Sequence, residues 1–111
     1  MKLRWFVLFG VAATLVAAPA RADEASDTVA AGRKLYMSLC ARCHGLNLAT
    51  SGIGYDLRTF PKGDKERFVR SVNKGLRAMP AWEAVIKPDQ LDAIWAYVGS
   101  VNGWAESAAV K

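Results

Sequence analysis

Residues 35–47, LYMSLCARCHGLN, contain both cysteines and the single histidine of a 111-residue chain. Cys40 is followed two residues later by Cys43, with His44 directly behind it. On a helix, positions three and four apart share a face, so both thiols and the imidazole converge on one object. A structural zinc site needs four ligands, usually from two separated pairs, and only three Cys/His groups exist here. A disulfide across two intervening residues would close too short a loop to stabilise much, and would leave His44 without a role. Thiol–disulfide exchange also uses Cys-x-x-Cys, but within a βαβ unit. No stretch of this sequence alternates apolar and polar residues between turn signals as a strand would.

The spacing instead suits covalent attachment of haem. Two thioethers join the vinyl groups while the imidazole binds the iron from the same side, and Cys-x-x-Cys-His is the signature of c-type attachment. The chemistry then turns on the second axial position. Outside the first residue there are two methionines, Met37 and Met79. Met37 lies three residues before Cys40 and is expected on the His44 side or in the core. Met79 stands in GLRAMPAW, a loop stiffened by Pro80, from which it can reach the far face. A lone loop methionine is ordinarily a gap-filling core residue, but beside a haem motif Met79 is expected as the sixth ligand. Ligation by His44 and Met79 raises the reduction potential and closes both axial sites, which suits electron transfer rather than O₂ or peroxide activation.

Outward from the motif, three helical segments are predicted. The first is capped at Ser26 or Asp27 and runs to about Ala41, with Val29, Arg33, Tyr36 and Cys40 at helical spacing. A second runs from about Asp64 to Asn73, with Phe68 and Val72 four apart and Gly75 as its stop. The third starts at Pro88, and Leu91, Ile94, Trp95 and Val98 follow the i, i+3, i+4, i+7 pattern of a core-facing stripe. Two connections, Gly45 to about Gly63 and Leu76 to Lys87, are long for so small a domain, as if wrapped around a large non-protein body.

The N-terminus reads as a cleaved signal peptide over residues 1–22. Lys2 and Arg4 precede an apolar run from Trp5 to Ala18, and Ala20-Arg21-Ala22 supplies a small-x-small cleavage site. The run is shorter than the roughly 18–20 apolar residues of a membrane span. Removing 22 of the 111 residues leaves a single domain, 23–111, of 89. Lys plus Arg falls from 15 to 12 against 10 Asp plus Glu, and net charge from +5 to +2, so the basic balance that would suggest nucleic acid belongs largely to the leader. The expected location is the periplasm, with no stable membrane insertion once the leader is gone.

These residues resemble the class I cytochrome c family over nearly the whole mature chain. Gly32 and Tyr36 stand where the family has a glycine and an aromatic before CARCHG, and Leu91 to Val98 resembles its C-terminal helix. The resemblance implies an all-α fold, three main helices and long loops around one covalently attached haem c. Its first and last helices would cross near Gly32, with Tyr36, Ile94 and Tyr97 packed around it. It also places Met79, in AMPAW, as the sixth ligand. One feature departs from the pattern: no proline lies between His44 and Phe60, so some carbonyl near Gly54 or Tyr55 must orient the His44 ring. The stretch from DLRTF to AMPAW also resembles small exported cytochromes that serve quinoprotein alcohol dehydrogenases.

Arg58, Tyr55 and Trp82 are the residues near the haem loops able to donate to the haem propionates, since a buried charge left unpaired is costly. Arg33, Lys34, Arg42, Lys62, Lys74, Arg77 and Lys87 could form a positive rim that steers an acidic redox partner. The reading is therefore a monomeric, exported one-electron carrier and not an enzyme. It would take electrons from a periplasmic dehydrogenase or membrane complex and pass them to a terminal oxidase. An open sixth site would instead make it a haem catalyst or sensor, and free thiols a disulfide-exchange protein.

Overall fold

The computed structural model describes residues 9–16 and 20–104. Four helices follow one another: α1 (Ala20–Leu39), α2 (Ala41–His44), α3 (Lys65–Lys74) and α4 (Pro88–Val101), with short 3₁₀ turns at Leu46–Leu48 and Leu57–Thr59. No strand occurs among the described residues; Leu76 and Met79 form one isolated antiparallel bridge. Residues 9–16 have no regular structure, and Phe9, Val11, Leu15 and Val16 hold their side chains in solvent. The rest of the expected signal peptide, residues 1–8 and 17–19, lies outside the described residues, as do residues 105–111. Among the described residues no helix is long and apolar enough to cross a membrane.

Two boundaries differ from expectation. α1 begins at Ala20 rather than at a cap on Ser26 or Asp27. Nothing in ARADEAS breaks a helix, and Asp23 in the first turn favours a start there through the helix dipole. Side chains from Asp23 to Thr28 are all exposed, so this first part of the helix rests on propensity rather than packing. The first helical segment is also divided: α1 stops at Leu39, and α2 follows across Cys40. The ladder almost continues through the joint, with Cys40 N–H donating to Tyr36 C=O at 2.8 Å and His44 N–H to Cys40 C=O at 2.9 Å. Three predicted helices are thus four in the structure, the motif occupying a turn of its own.

α3 starts where Asp64 accepts a hydrogen bond from the Arg67 N–H, and ends at Gly75, whose φ of 77° continues the chain in a conformation that favours glycine. α4 opens on Pro88, with the Gln90 side-chain oxygen accepting from the Lys87 N–H at 2.9 Å. Leu91, Ile94, Trp95 and Val98 are buried as the periodicity predicts, and Ala93, Ala96 and Tyr97 are buried with them. The apolar stripe is so wide because α4 meets α1 on one side and the aromatic loop and α3 on the other.

The α1–α4 crossing depends on Gly32. A Cβ at this position would collide with the backbone carbonyl of Ala93, so the two helices approach at a distance only glycine permits. One turn further on, Tyr36 is fully buried and its ring lies 5.2 Å from that of Tyr97. The expected quartet of Gly32, Tyr36, Ile94 and Tyr97 is therefore assembled at this crossing. Beyond it, Phe60, Phe68 and Trp95 pack with edge-to-face and tilted rings, and Trp104 covers Trp95. Asn102 closes the end of α4 onto the loop, donating from Nδ2 to the Leu57 carbonyl at 3.0 Å.

Candidate haem site

The α2 turn carries Cys40 at its entry, Cys43 within it and His44 at its end. Neither cysteine is in a disulfide, and both are half-buried. Burial first, and the neighbouring Cys43 second, push the Cys40 thiol up to about 11. A disulfide-exchange cysteine needs the opposite shift, since the thiolate is the nucleophile. Tyr36 lies beneath this turn and its hydroxyl donates to the Gly45 carbonyl at 2.6 Å. Burial, followed by Cys40 and Tyr97, raises the Tyr36 hydroxyl to about 12, so it stays a donor throughout the physiological range.

The orientation of His44 is set by the loop after it. Its Nδ1 lies 2.8 Å from the Tyr55 carbonyl. A carbonyl can only accept, so Nδ1 carries the proton and the lone pair of the neutral ring resides on Nε2, the tautomer a metal requires. The segment that delivers this carbonyl is fastened at several points. Gly54 N–H donates to Cys43 C=O at 2.8 Å, and Thr50 Oγ1 donates to Gly54 C=O at 2.8 Å. Gly54 is pressed against the motif: a Cβ there would sit 2.6 Å from the Cys43 oxygen and 3.0 Å from His44 Nδ1. Gly45, at φ 83°, turns the chain so tightly that a Cβ would overlap the Ala49 carbonyl. The carbonyl that replaces the absent proline is thus that of Tyr55. Gly54 marks where the backbone comes close enough to meet the His44 ring, a position at which any Cβ would collide, but does not say which neighbouring carbonyl is presented.

Met79 lies on a different part of the chain. It closes a two-residue reverse turn in which Leu76 and Met79 exchange both backbone bonds, at 3.0 and 3.1 Å. The turn is bound to the end of α3 by Trp82 N–H donating to Val72 C=O at 2.9 Å, and by Lys74 Nζ donating to Glu83 Oε2 at 2.8 Å. Met79 itself is half-buried against the core. Met37, expected near His44 or in the core, is 39% exposed on α1, which places it outside the core.

The three residues proposed for the propionates are differently committed. Arg58 spends Nε and Nη2 on the Asp56 carboxylate, at 3.0 and 2.7 Å, and this fork holds the Asp56 carboxyl below its usual range. Tyr55 is exposed, its hydroxyl donating to the Thr59 carbonyl at 3.3 Å. Trp82 is half-buried against the core, and its indole N–H has no acceptor among the described residues. Of the seven rim cations, Lys74 is already paired with Glu83.

The donor set fits haem: two thiols and an unpartnered imidazole Nε2 on one helical turn, the ring held from behind by a carbonyl, and a thioether on a separate loop. Comparison with known proteins decides the matter. The profile of a family described as "Cytochrome C oxidase, cbb3-type, subunit III" matches residues 27–98. Cytochrome c6 of Nostoc sp. is 33% identical over 109 residues, covering 87% of this chain and 90% of that protein.

The chain belongs to the monohaem class I cytochrome c family.

It carries the family's single covalent haem c, has its all-α fold, and is an electron-transfer protein rather than an enzyme. Cytochrome c550 of Pseudomonas aeruginosa is 40% identical over 78 residues, 64% of this chain and 54% of that protein. Quinohemoprotein alcohol dehydrogenase ADH IIB of Pseudomonas putida is 32% identical over 85 residues, 74% of this chain; the chain spans only 12% of that enzyme's length. At the stringency that admits these relatives, no solved structure matches.

Proposed function

We propose that this cytochrome is an exported carrier whose haem is bound through Cys40 and Cys43 and ligated by His44 and Met79. The haem supplies an iron that gains and loses one electron. The residues around it do the rest. Cys40 and Cys43 tether the group so that it cannot dissociate in either oxidation state. His44 presents Nε2 while the Tyr55 carbonyl fixes its ring and raises its basicity. Met79 would fill the sixth position with a soft thioether, which favours the reduced state and leaves no open site for O₂ or peroxide. Trp82 would offer its free indole N–H to a propionate; Arg58 would do so only by sharing or leaving Asp56, and Tyr55 by releasing Thr59.

The observation that carries this reading is the 2.8 Å contact from His44 Nδ1 to the Tyr55 carbonyl, which prepares one ring nitrogen for a metal in a turn that also presents both thiols. Residues 1–22 would direct export and be removed, placing the working protein in the periplasm as a monomer. The donor we propose is a quinoprotein alcohol dehydrogenase, supported by the 32% identity to part of ADH IIB, and the acceptor a terminal oxidase. The test is to express the full chain, isolate the periplasmic protein and mix its oxidised form with a purified quinoprotein alcohol dehydrogenase and ethanol. The expected result is a mature mass starting at Asp23 plus one haem, and reduction of that haem on mixing. A retained leader would remove the export reading. Absence of reduction would remove the dehydrogenase as donor.

A further inference from the structure

The loop that returns to His44 runs through Thr50, Ser51, Gly52, Ile53, Gly54 and Tyr55, with no proline to stiffen it. Two of these residues are glycines, Gly52 stands at φ of +108°, and Ser51 and Ile53 hold their side chains in solvent. Glycine loses more conformational freedom on folding than any other residue, and so exposed a tip draws little from the core to offset that loss. One side chain closes the loop. Thr50 Oγ1 donates to the Gly54 carbonyl at 2.8 Å and accepts from the Gly52 N–H at 3.1 Å, so a single half-buried hydroxyl joins the start of the loop to its middle and its end. The Gly54 N–H is committed to the Cys43 carbonyl at 2.8 Å, and with Thr50 on its carbonyl both backbone groups of Gly54 are fixed. The next carbonyl along, that of Tyr55, is the one that lies 2.8 Å from His44 Nδ1. Thr50 is confined from the other side as well: a Cβ on Gly45 would come within 3.2 Å of the Thr50 Cα, so the start of the loop lies against the residue that follows His44.

We infer that Thr50 is a positioning residue for electron transfer, its hydroxyl holding the Tyr55 carbonyl on His44 Nδ1 and thereby setting the reduction potential of the haem. The inference rests on the reading that His44 ligates the iron. The sign follows from the bond. A carbonyl held on the Nδ1 proton makes the opposite ring nitrogen a stronger donor, and a stronger donor favours the more highly charged, oxidised iron. Without the hydroxyl, Gly54 regains a glycine's freedom and the Tyr55 carbonyl spends part of its time away from the ring. His44 is then a weaker ligand, and the potential rises. The neighbouring side chains are turned elsewhere: Asp56 accepts from the Arg58 N–H and guanidinium, and the Tyr55 hydroxyl donates to the Thr59 carbonyl.

The test compares Thr50→Val, which keeps the branched shape but neither bond, with Thr50→Ser, which keeps the hydroxyl, and with Ser51→Ala, an exposed change beside it. Each holoprotein is equilibrated with a redox couple of known potential, and the His44 ring protons are followed by NMR. Thr50→Val should shift the electron-exchange equilibrium about three- to ten-fold towards the reduced protein. It should also speed exchange of the His44 Nδ1 proton with solvent by about ten-fold, through more frequent local opening. Thr50→Ser and Ser51→Ala should both stay within about two-fold of the parent. Parental potential and exchange in Thr50→Val, even with a lower melting temperature, would assign Thr50 to the fold alone and overturn the inference. So would a Thr50→Ser that moves as far as Thr50→Val. Should Thr50→Val fail to incorporate haem, Thr50→Ala, which removes the hydroxyl without adding a methyl, reads the same two quantities. The His44 reading is checked apart from this, by whether the parent's imidazole ring protons are displaced by the ferric iron. Undisplaced resonances would remove His44 as ligand, whereas displaced ones with a parental potential in Thr50→Val would remove only the role of Thr50.

Discussion

The two sides of the haem site are built differently. On the His44 side everything needed lies within the sixteen positions from Cys40 to Tyr55: a helical turn presents two thiols and an imidazole, and a loop returns at once to hold the ring. Gly54 is in van der Waals conflict with any side chain there, and Tyr36 supports Gly45 from the core through a 2.6 Å bond. The Met79 side is a surface turn hooked to α3 by two backbone bonds, at 2.9 and 3.4 Å, and one exposed ion pair. Such a pair contributes little in water. The lesson is that the imidazole is positioned by structure local in the chain, whereas Met79 is positioned by a turn thirty-five residues further on that must be held in place through its contacts with α3.

The largest effect should come from Gly54→Ala. The added Cβ meets backbone and the His44 ring, neither of which can yield, and we expect a loss of about 2–4 kcal/mol in denaturant unfolding together with poor haem incorporation. A variant as stable as the parent would show that the His44 side is less rigid than described. Gly75→Ala makes the matching change opposite: its Cβ would lie 2.7 Å from the Met79 carbonyl, at a φ of 77°. Here about 1–2 kcal/mol is expected, with loss of the charge-transfer band but normal haem content. If Gly75→Ala instead prevented haem attachment, the two sides would not be separable.

Tyr36→Phe sharpens the comparison from below the motif. It leaves the Gly45 carbonyl without its donor, at a cost of about 1–2 kcal/mol. It also removes a pH dependence. The Tyr36 hydroxyl is raised from 10.0 to about 12, so the folded state keeps a proton that the unfolded chain releases. Stability from this group is complete below pH 10 and declines as pH rises towards 12. Equilibrium unfolding between pH 9 and 12 should show that decline in the parent and a smaller one in Tyr36→Phe; parallel curves would assign it elsewhere. The smallest effect is expected from Glu83→Gln, which breaks the pair with Lys74. Stability should change by no more than about 0.5 kcal/mol, while added imidazole displaces Met79 about twice as fast.

Much of this was legible in the sequence because the governing signals are local. Cys-x-x-Cys-His states its own geometry, and α4 announced itself through Pro88 and the spacing of Leu91, Ile94, Trp95 and Val98. The start of α1 was misplaced because Ser26 and Asp27 look like caps, although the alanine-rich sequence upstream propagates a helix without hindrance. The division at Cys40 was not visible, since the same residues satisfy a continuous helix equally well. The carbonyl behind His44 could be narrowed to Gly54 or Tyr55 but not chosen, because a backbone acceptor carries no side-chain signature. Likewise, that Arg58 faces Asp56 and that Arg77 adopts a left-handed conformation are consequences of loop folding, which residue identity alone does not disclose.

The central claim is that His44 and Met79 occupy the two axial positions. It is tested most directly by adding carbon monoxide to the dithionite-reduced holoprotein and to Met79→Ala. The account predicts no change in the spectrum of the parent and a shifted Soret band in the variant, whose sixth position has been opened. Rapid binding by the parent, or a variant that responds no differently, would contradict it.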